Sequence, residues 1–409
     1  MKAFGIACYF HRNLSMKPFA FAPTPVLHFG EGRISVLPDA IQSYGTKFLL
    51  VTGATSFASS DHFETLIGQF ASRKLIFNHT YVKGEPTPGL VDESVRNLGT
   101  FKPDVVVAIG GGSALDAGKA ISAMIPLDET VKNYLEGVGS KVHPGVKVPF
   151  IAVPTTAGTG SEAAKNAVLS ETGPNGYKRS LRHNRFVPDL AIIDPALTLS
   201  CSPFTTAASG MDAFTQLLES YLSPQGNRIT DALALEGLAN ISSSLLPVFR
   251  DGSDYLARTG MALSAYLSGV TLTNAGLGLI HGFASSIGGF FPISHGVICS
   301  SLMYAVNTIT VRKLRRESLT EPLAKYATVG RIFSGGMAHK SDPYVIDALL
   351  ETIQAFTVEM KIQSLAELGI TANDFGRIVA VTENKNNPIS FSREEMHEAL
   401  EVASVAAFR

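Results

Sequence analysis

The sequence predicts an α/β nucleotide-binding domain built on a parallel sheet, followed by an all-helical domain. Three observations carry that expectation. Short apolar runs alternate with helical stretches through the first half; two of those runs end in turns rich in glycine and hydroxyl residues; and after Asp194-Pro195 the pattern turns to helical periodicity alone. A chain of 409 residues is long for one core and divides naturally into two. The division read here is 1–15 as an N-terminal extension, 16–202 as the α/β domain and 203–409 as the helical domain. The extension is set off because Met16 offers a second start, and residues 4–10 have neither the apolar length nor the cleavage site of a secretory signal.

Strands are expected over 47–52 (KFLLVT), 104–109 (DVVVAI), 148–153 (VPFIAV) and 190–194 (LAIID). These near-continuous apolar runs, bounded by Gly, Pro or Asp, suit strands covered on both faces. Helices are expected between them over 89–98 and 113–124. The second half reads as helices over 206–222, 229–249, 254–273, 277–289, 295–311, 321–333 and 344–359, with breaks at Pro224-Gln225-Gly226, Asp251-Gly252 and Phe291-Pro292.

Composition excludes several classes. With 45% hydrophobic and 17% charged residues the chain is globular, and a formal net charge of −1 gives no basic face for nucleic acid. Cys8, Cys201 and Cys299 are odd in number and scattered, which suits a reducing, cytoplasmic setting. Residues 259–311 contain no Asp, Glu, Lys or Arg, but Asn274, His281, Pro292, His295 and many Gly and Ser interrupt the run. It is read as buried core helices, not a membrane span.

The strand ending at Ile109 runs into Gly110-Gly111-Gly112-Ser113-Ala114-Leu115-Asp116. Glycines permit close approach of the backbone to a phosphate, and the following helix would aim its free N–H groups at the anion. The bland alternative is a tight turn with Ser113 as helix N-cap. The next strand ends in Thr155-Thr156-Ala157-Gly158-Thr159-Gly160-Ser161-Glu162, a second run of donors on the same edge of a parallel sheet. Its bland alternative is again a cap, Thr159 or Ser161, for a helix beginning near Glu162.

In the helical half, Asp212 and Gln216 stand one turn apart on one helix face. His281 and His295 lie in the charge-free stretch, on two helices separated by Pro292. By spacing alone the histidines read as hydrogen-bonded core residues. Together with Asp212 they make a set of two imidazoles and a carboxylate that suits Fe2+ and admits Zn2+, to which Gln216 could add a carbonyl oxygen.

These motifs resemble the iron-containing (group III) alcohol dehydrogenases, in the family's order and over nearly the whole chain. GGGSALDAGKA (110–120) resembles its pyrophosphate loop and PTTAGTGSE (154–162) its second cofactor loop; GMDAFTQLLE (210–219) and HGFASSIGGFFPISH (281–295) resemble its metal segments. The resemblance implies hydride transfer between NAD or NADP and a small alcohol, aldehyde or ketone in the cleft between domains. It implies a cofactor contact at Lys178, catalysis at Asp212, His281 and His295, and a homodimer. Gln216 stands where the family has a His ligand, and Ser285 where many members have a proton-relay His. The strand end Val51-Thr52-Gly53 lacks the Asp common in NAD-strict members; that admits NADP, although residues 53–60 contain no Arg to favour it. The alternatives are a metal-free reductase of the maleylacetate reductase type and a lyase like dehydroquinate synthase, which would need basic residues in the cleft. Phe283, Phe290 and Phe291 are candidates to line a small, weakly polar substrate pocket.

Overall fold

The computed structural model describes residues 18–54 and 57–405. Residues 1–15, read as an extension, and Cys8 lie outside them. Among the described residues eight strands are formed: β1 (Val26–Phe29), β2 (Lys47–Gly53), β3 (Ile76–Val82), β4 (Val105–Gly110), β5 (Phe150–Pro154), β6 (Asn166–Glu171), β7 (Tyr177–Arg182) and β8 (Leu190–Ile193). Six of them make one sheet in the order β1-β8-β5-β4-β2-β3, with every pairing parallel. The four expected strands are its centre. They were legible because both their faces are covered: Leu49, Val51, Val106, Ala108 and Ala152 pack on one side, and Phe48, Leu50, Val107, Ile109 and Ile151 on the other. β1 and β3 are edge strands with half-exposed, mixed residues, so they carry no apolar run to read.

The chain passes from β2 outward to β3 and then returns to place β4 on the far side of β2. This reversal opens a crevice above Gly53 and Gly110, the carboxyl ends where open α/β sheets bind ligands. Helices α1 (Leu37–Tyr44), α2 (Asp61–Ser72), α3 (Pro88–Leu98) and α4 (Gly112–Met124) flank the sheet. α4 begins one residue before the expected Ser113 and is capped by the backbone of Gly111, so Ser113 sits inside the first turn and is not its N-cap. No helix follows the second loop either. Residues 166–182 instead form the antiparallel hairpin β6–β7, which the sequence reading missed because its alternation is broken by Lys178 and Arg179.

His79 in β3 illustrates the cost of a polar ring in this layer. It bonds Thr52 Oγ1 at 2.9 Å and lies against Phe63 and Phe77; burial pushes its pKa down to about 4. An unfolded chain therefore binds a proton near pH 6.5 that the folded chain refuses until about pH 4. Stability from this group is fully present above that window and is lost as pH falls through it. Denaturant midpoints measured across the window should decline, and His79→Gln should flatten that decline.

The second half is helical: α5 (Pro203–Leu222), α6 (Arg228–Arg250), α7 (Tyr255–Ala275), α8 (Leu279–Phe290), α9 (His295–Arg316), α10 (Thr320–Phe333), α11 (Asp342–Glu359), α12 (Ala372–Val381) and α13 (Arg393–Ser404). All seven expected helices form. α12 and α13 were missed, although both are amphipathic: they are short and lie past the last helix the sequence reading marked. The charge-free stretch supplies most of α7, all of α8 and the first part of α9, which share one core with α5 and α6. α6 is long and apolar enough to cross a bilayer, yet Leu238, Ile241 and Leu245 are fully buried in that core.

Candidate metal centre and cofactor cleft

The two halves meet at a cleft of about 900 Å³ whose walls come from both. Its helical wall brings together the three residues singled out for metal. α5 carries Asp212 inward, α8 supplies His281 near its start, and the break at Phe291-Pro292 turns the chain so that His295 opens α9. Asp212 Oδ1 lies 3.5 Å from His281 Nε2 and 3.8 Å from His295 Nε2. That oxygen is buried and makes no hydrogen bond, and Asp212 as a whole is 1% exposed. A carboxylate oxygen left bare in such a place is costly unless a cation occupies the space it faces. The donor set therefore fits a divalent ion.

The charges in this centre are set by burial and by one another. Burial works against ionised Asp212, but His295 and His281 outweigh it and hold the carboxyl below its usual range. Burial pushes His295 down to about 3, against the pull of Asp212. Burial also opposes charge on His281. Its anionic surroundings prevail, the Cys299 sulfur when ionised together with Glu219 and Asp212, and raise it well above the ordinary value. His281 Nδ1 is 2.6 Å from Glu219 Oε2, which fixes the ring so that Nε2 faces Asp212. Glu219 is itself held by the backbone N–H groups of Gly278 and Ile280.

Gln216 reaches the centre differently from Asp212. Its amide nitrogen donates to Asp212 Oδ2 at 3.2 Å, and its amide oxygen accepts from Ser268 Oγ at 2.9 Å. Two oxygens in place of the first pair would repel, so the amide is turned with its nitrogen toward the carboxylate.

On the α/β wall, Gly53, Gly111, Gly112, Ser113, Asp116, Thr156, Thr159 and Lys178 line the cleft. Gly110 and Thr155 do not reach the lining; they lie beneath it, joined by the bond from Thr155 N–H to the Gly110 carbonyl. The two loops interlock. A Cβ on Gly112 would come within 2.5 Å of Thr159 Cγ2, and Gly160, with φ of +62°, lets the second loop sit against Gly269 of α7. Asp116 is a brace: its carboxylate accepts from Ser161 Oγ at 2.5 Å and from Val168 N–H at 3.0 Å. Lys119, one turn on and 1% exposed, donates to the carbonyls of Ser161, Ala164 and Asn166 at 2.7–2.8 Å. Lys178 pairs with Glu85 at 2.9 Å, and Glu85 also accepts from the His295 backbone N–H, tying the hairpin to the start of α9.

Residues 23–195 match the iron-containing alcohol dehydrogenase family, and residues 206–404 match the C-terminal part of the Fe-containing alcohol dehydrogenase family. The chain belongs to the iron-containing alcohol dehydrogenases. It is 31% identical over 385 residues to alcohol dehydrogenase 4 of Saccharomyces cerevisiae, covering 91% of this chain and 95% of that protein. The crystal structure of a 1,3-propanediol oxidoreductase superposes with a TM-score of 0.84 at 26% identity, covering 95% of this chain and 100% of that one. Sulfoacetaldehyde reductase from Bifidobacterium kashiwanohense, solved in complex with NAD+, has the same fold, with a TM-score of 0.80 at 24% identity over 95% of this chain and 99% of its own. Membership makes this chain an oxidoreductase of alcohols and aldehydes that works with a nicotinamide cofactor and a metal.

Two expectations about the enzyme's cleft change. The phenylalanines do not line it: Phe283 is wholly buried in the helical core, and Phe290 and Phe291 pack around the Arg377 guanidinium at 5.0 Å. The cleft also has basic residues, brought by the hairpin, but Lys178, Arg179 and Arg182 face Glu85, Glu383 and Glu136. Five side chains at the cleft and its supports escaped the sequence reading: Glu85, Lys119, Glu219, Cys299 and Lys385. Glu219 had a signal, being a charged residue on the buried face of α5 two turns beyond Asp212. Cys299 had one too, one turn beyond His295.

Proposed function

We propose that Asp212, His281 and His295 hold the catalytic ion and that the loops at 110–116 and 155–161 hold the cofactor pyrophosphate and ribose. The single observation that carries this reading is the bare, buried Asp212 Oδ1 facing two imidazole nitrogens at the mouth of the sheet crevice. A divalent ion held by these three residues would supply Lewis-acid chemistry, and a nicotinamide cofactor held by the two loops would supply hydride chemistry. The chain's own contribution is placement. The N-terminus of α4 faces the crevice with free N–H groups for phosphate, and the Lys178–Glu85 pair anchors the hairpin beside α9. The buried, charge-poor helical wall keeps water from the reacting atoms.

Alcohol oxidation also releases a proton, and Ser285 stands where many relatives have a relay histidine. Its hydroxyl donates to the His281 carbonyl at 2.8 Å and lies 3.3 Å from Lys385 Nζ, and both residues line the cleft. Ser285 with Lys385 is the proton-exchange pair this reading assigns. The convergence of Asp212 with both histidines favours this scheme over a metal-free reductase, and the pairing of the hairpin's cations with glutamates leaves little for a lyase's phosphate. Homodimeric assembly, a cytoplasmic setting and the division at residues 202 and 203 belong to the same proposal.

The test is oxidation of NADH and of NADPH against a panel of aldehydes and ketones, with metal analysis, before and after chelation. We expect a stoichiometric divalent ion and chelator-sensitive turnover. Both nucleotides should serve, since the end of β2 at Gly53 presents no carboxylate to a 2′-phosphate. Turnover retained by a metal-stripped His281→Ala variant would sink the scheme.

A further inference from the structure

We infer that Cys299, not Gln216, is the fourth protein ligand of this metal centre, making it a carboxylate–imidazole–imidazole–thiolate site built for Zn2+ rather than Fe2+. The inference rests on the reading of Asp212, His281 and His295 as ligands and goes beyond it in naming the fourth donor and the ion. Cys299 is fully buried on α9, one helical turn after His295, so both side chains leave the same face of one rigid element. Its Sγ lies 3.8 Å from His281 Nε2 and 3.8 Å from His295 Nε2. One donor atom each from Asp212, His281, His295 and Cys299 falls within 4.8 Å of all the others.

Bond lengths make those spacings informative. Zinc bonds to imidazole nitrogen and thiolate sulfur fix the edges of a regular tetrahedron at about 3.3 Å between N or O donors and about 3.5 Å between N and S. The spacings here, 3.5 Å and 3.8 Å from Asp212 Oδ1 and 3.8 Å twice from Sγ, are within a few tenths of those edges. The second, independent observation is Asp212 Oδ1, buried, without a hydrogen bond, and aimed into the same space. Gln216 is occupied elsewhere: its nitrogen holds the other Asp212 oxygen and its oxygen takes the Ser268 hydroxyl, which makes it a positioning residue for Asp212.

Thiolate is a soft donor that selects zinc over iron among the divalent ions such a pocket admits, and the general affinity order favours zinc as well. When the ion enters, the Cys299 S–H bond and the His281 Nε2–H bond are broken, both protons pass to solvent, and sulfur and nitrogen keep their electron pairs for the metal; nothing is oxidised or reduced. Catalytic zinc can expand to five-coordinate, which leaves room for a substrate oxygen beside four protein ligands.

Cobalt is the probe, because a thiolate bound to Co2+ gives an intense sulfur-to-metal charge-transfer absorption in the near ultraviolet that oxygen and nitrogen ligands do not. The full chain, stripped of metal and loaded with one Co2+, should show that band. Cys299→Ser should lose it and bind Zn2+ at least roughly 10–100-fold more weakly, the loss typical of removing even an outer partner of a metal site. Gln216→Ala and Cys201→Ser should both keep the band. Stoichiometric cobalt without the band, or a band unchanged in Cys299→Ser, overturns the thiolate assignment while leaving the three-residue centre standing. Failure of the native chain to bind cobalt at all overturns both.

Discussion

Asp212→Asn is expected to abolish turnover and metal binding while leaving the fold intact. The substitution keeps shape but removes a carboxylate charge that stands 3.5 Å and 3.8 Å from the two imidazole Nε2 atoms. Without it the centre loses a first ligand, and the several kcal/mol of Lewis-acid stabilisation that depend on the ion are lost, about a 10³-fold fall in kcat or more. Stability separates this outcome from simple damage. In the metal-free chain the neighbouring imidazoles outweigh burial and hold Asp212 ionised, so Asn removes a favourable charge and the metal-free variant should stay folded but unfold somewhat earlier than the metal-free native chain. Adding Zn2+ at about a thousand times its dissociation constant should stabilise the native chain by about 4 kcal/mol and the variant by almost nothing. Thermal unfolding with and without the ion measures both. A variant whose Tm still rises with zinc would place the ligand set elsewhere.

Lys119→Met is expected to give the largest loss of stability in the α/β half. The ammonium is wholly buried, its donors spread over three carbonyls and Ser161 Oγ, and it is the cation for Asp116 and Glu162. Burial already pushes Glu162 up to about 7 and Lys119 down to about 8. Methionine fills much of the volume but leaves those carbonyls without donors and the carboxylates without a partner. Breaking a buried ionic cluster in this way costs about 3–5 kcal/mol. The effect should reach the cofactor, because Lys119 fixes Ser161 and so the second loop against Gly112. Nucleotide affinity should fall with stability, whereas metal binding at Asp212, on the far wall, should hold. A denaturation midpoint shifted by less than about 1 kcal/mol would mean that the loop is held by Asp116 alone.

The two variants divide the site along the line where the sequence could and could not be read. Composition and patterning determined the order of events along the chain: four strands at the sheet's centre, seven helices after Pro203, and a glycine turn after β4. Those elements bury apolar side chains on both faces or along one stripe, and burial of that kind leaves a period in the sequence. They also raised the Asp212, His281 and His295 set as a candidate: by spacing alone the histidines read as core residues, and only their company with Asp212 and the family's motifs promoted them. The edge strands and the hairpin carrying Lys178 left no such trace, because their residues are half exposed or charged; the two terminal helices did leave a stripe, Met396, Ala399, Leu400 and Ala403 in α13, that the reading passed over.

Tertiary structure alone decided the contacts that cross long distances in sequence. That Lys119 holds carbonyls more than forty residues on, that Glu85 joins Lys178 to the start of α9, and that Glu219 orients His281 follow from how elements pack. It also raised the fourth donor we propose. Gln216 and Cys299 each stand one turn from a proposed ligand, and the sequence reading put forward Gln216 alone. Only the packing of α5, α8 and α9 turns one amide toward Asp212 Oδ2 and brings one sulfur within 3.8 Å of both imidazoles, because directional donors are chosen by distance and angle, which spacing along a chain does not fix.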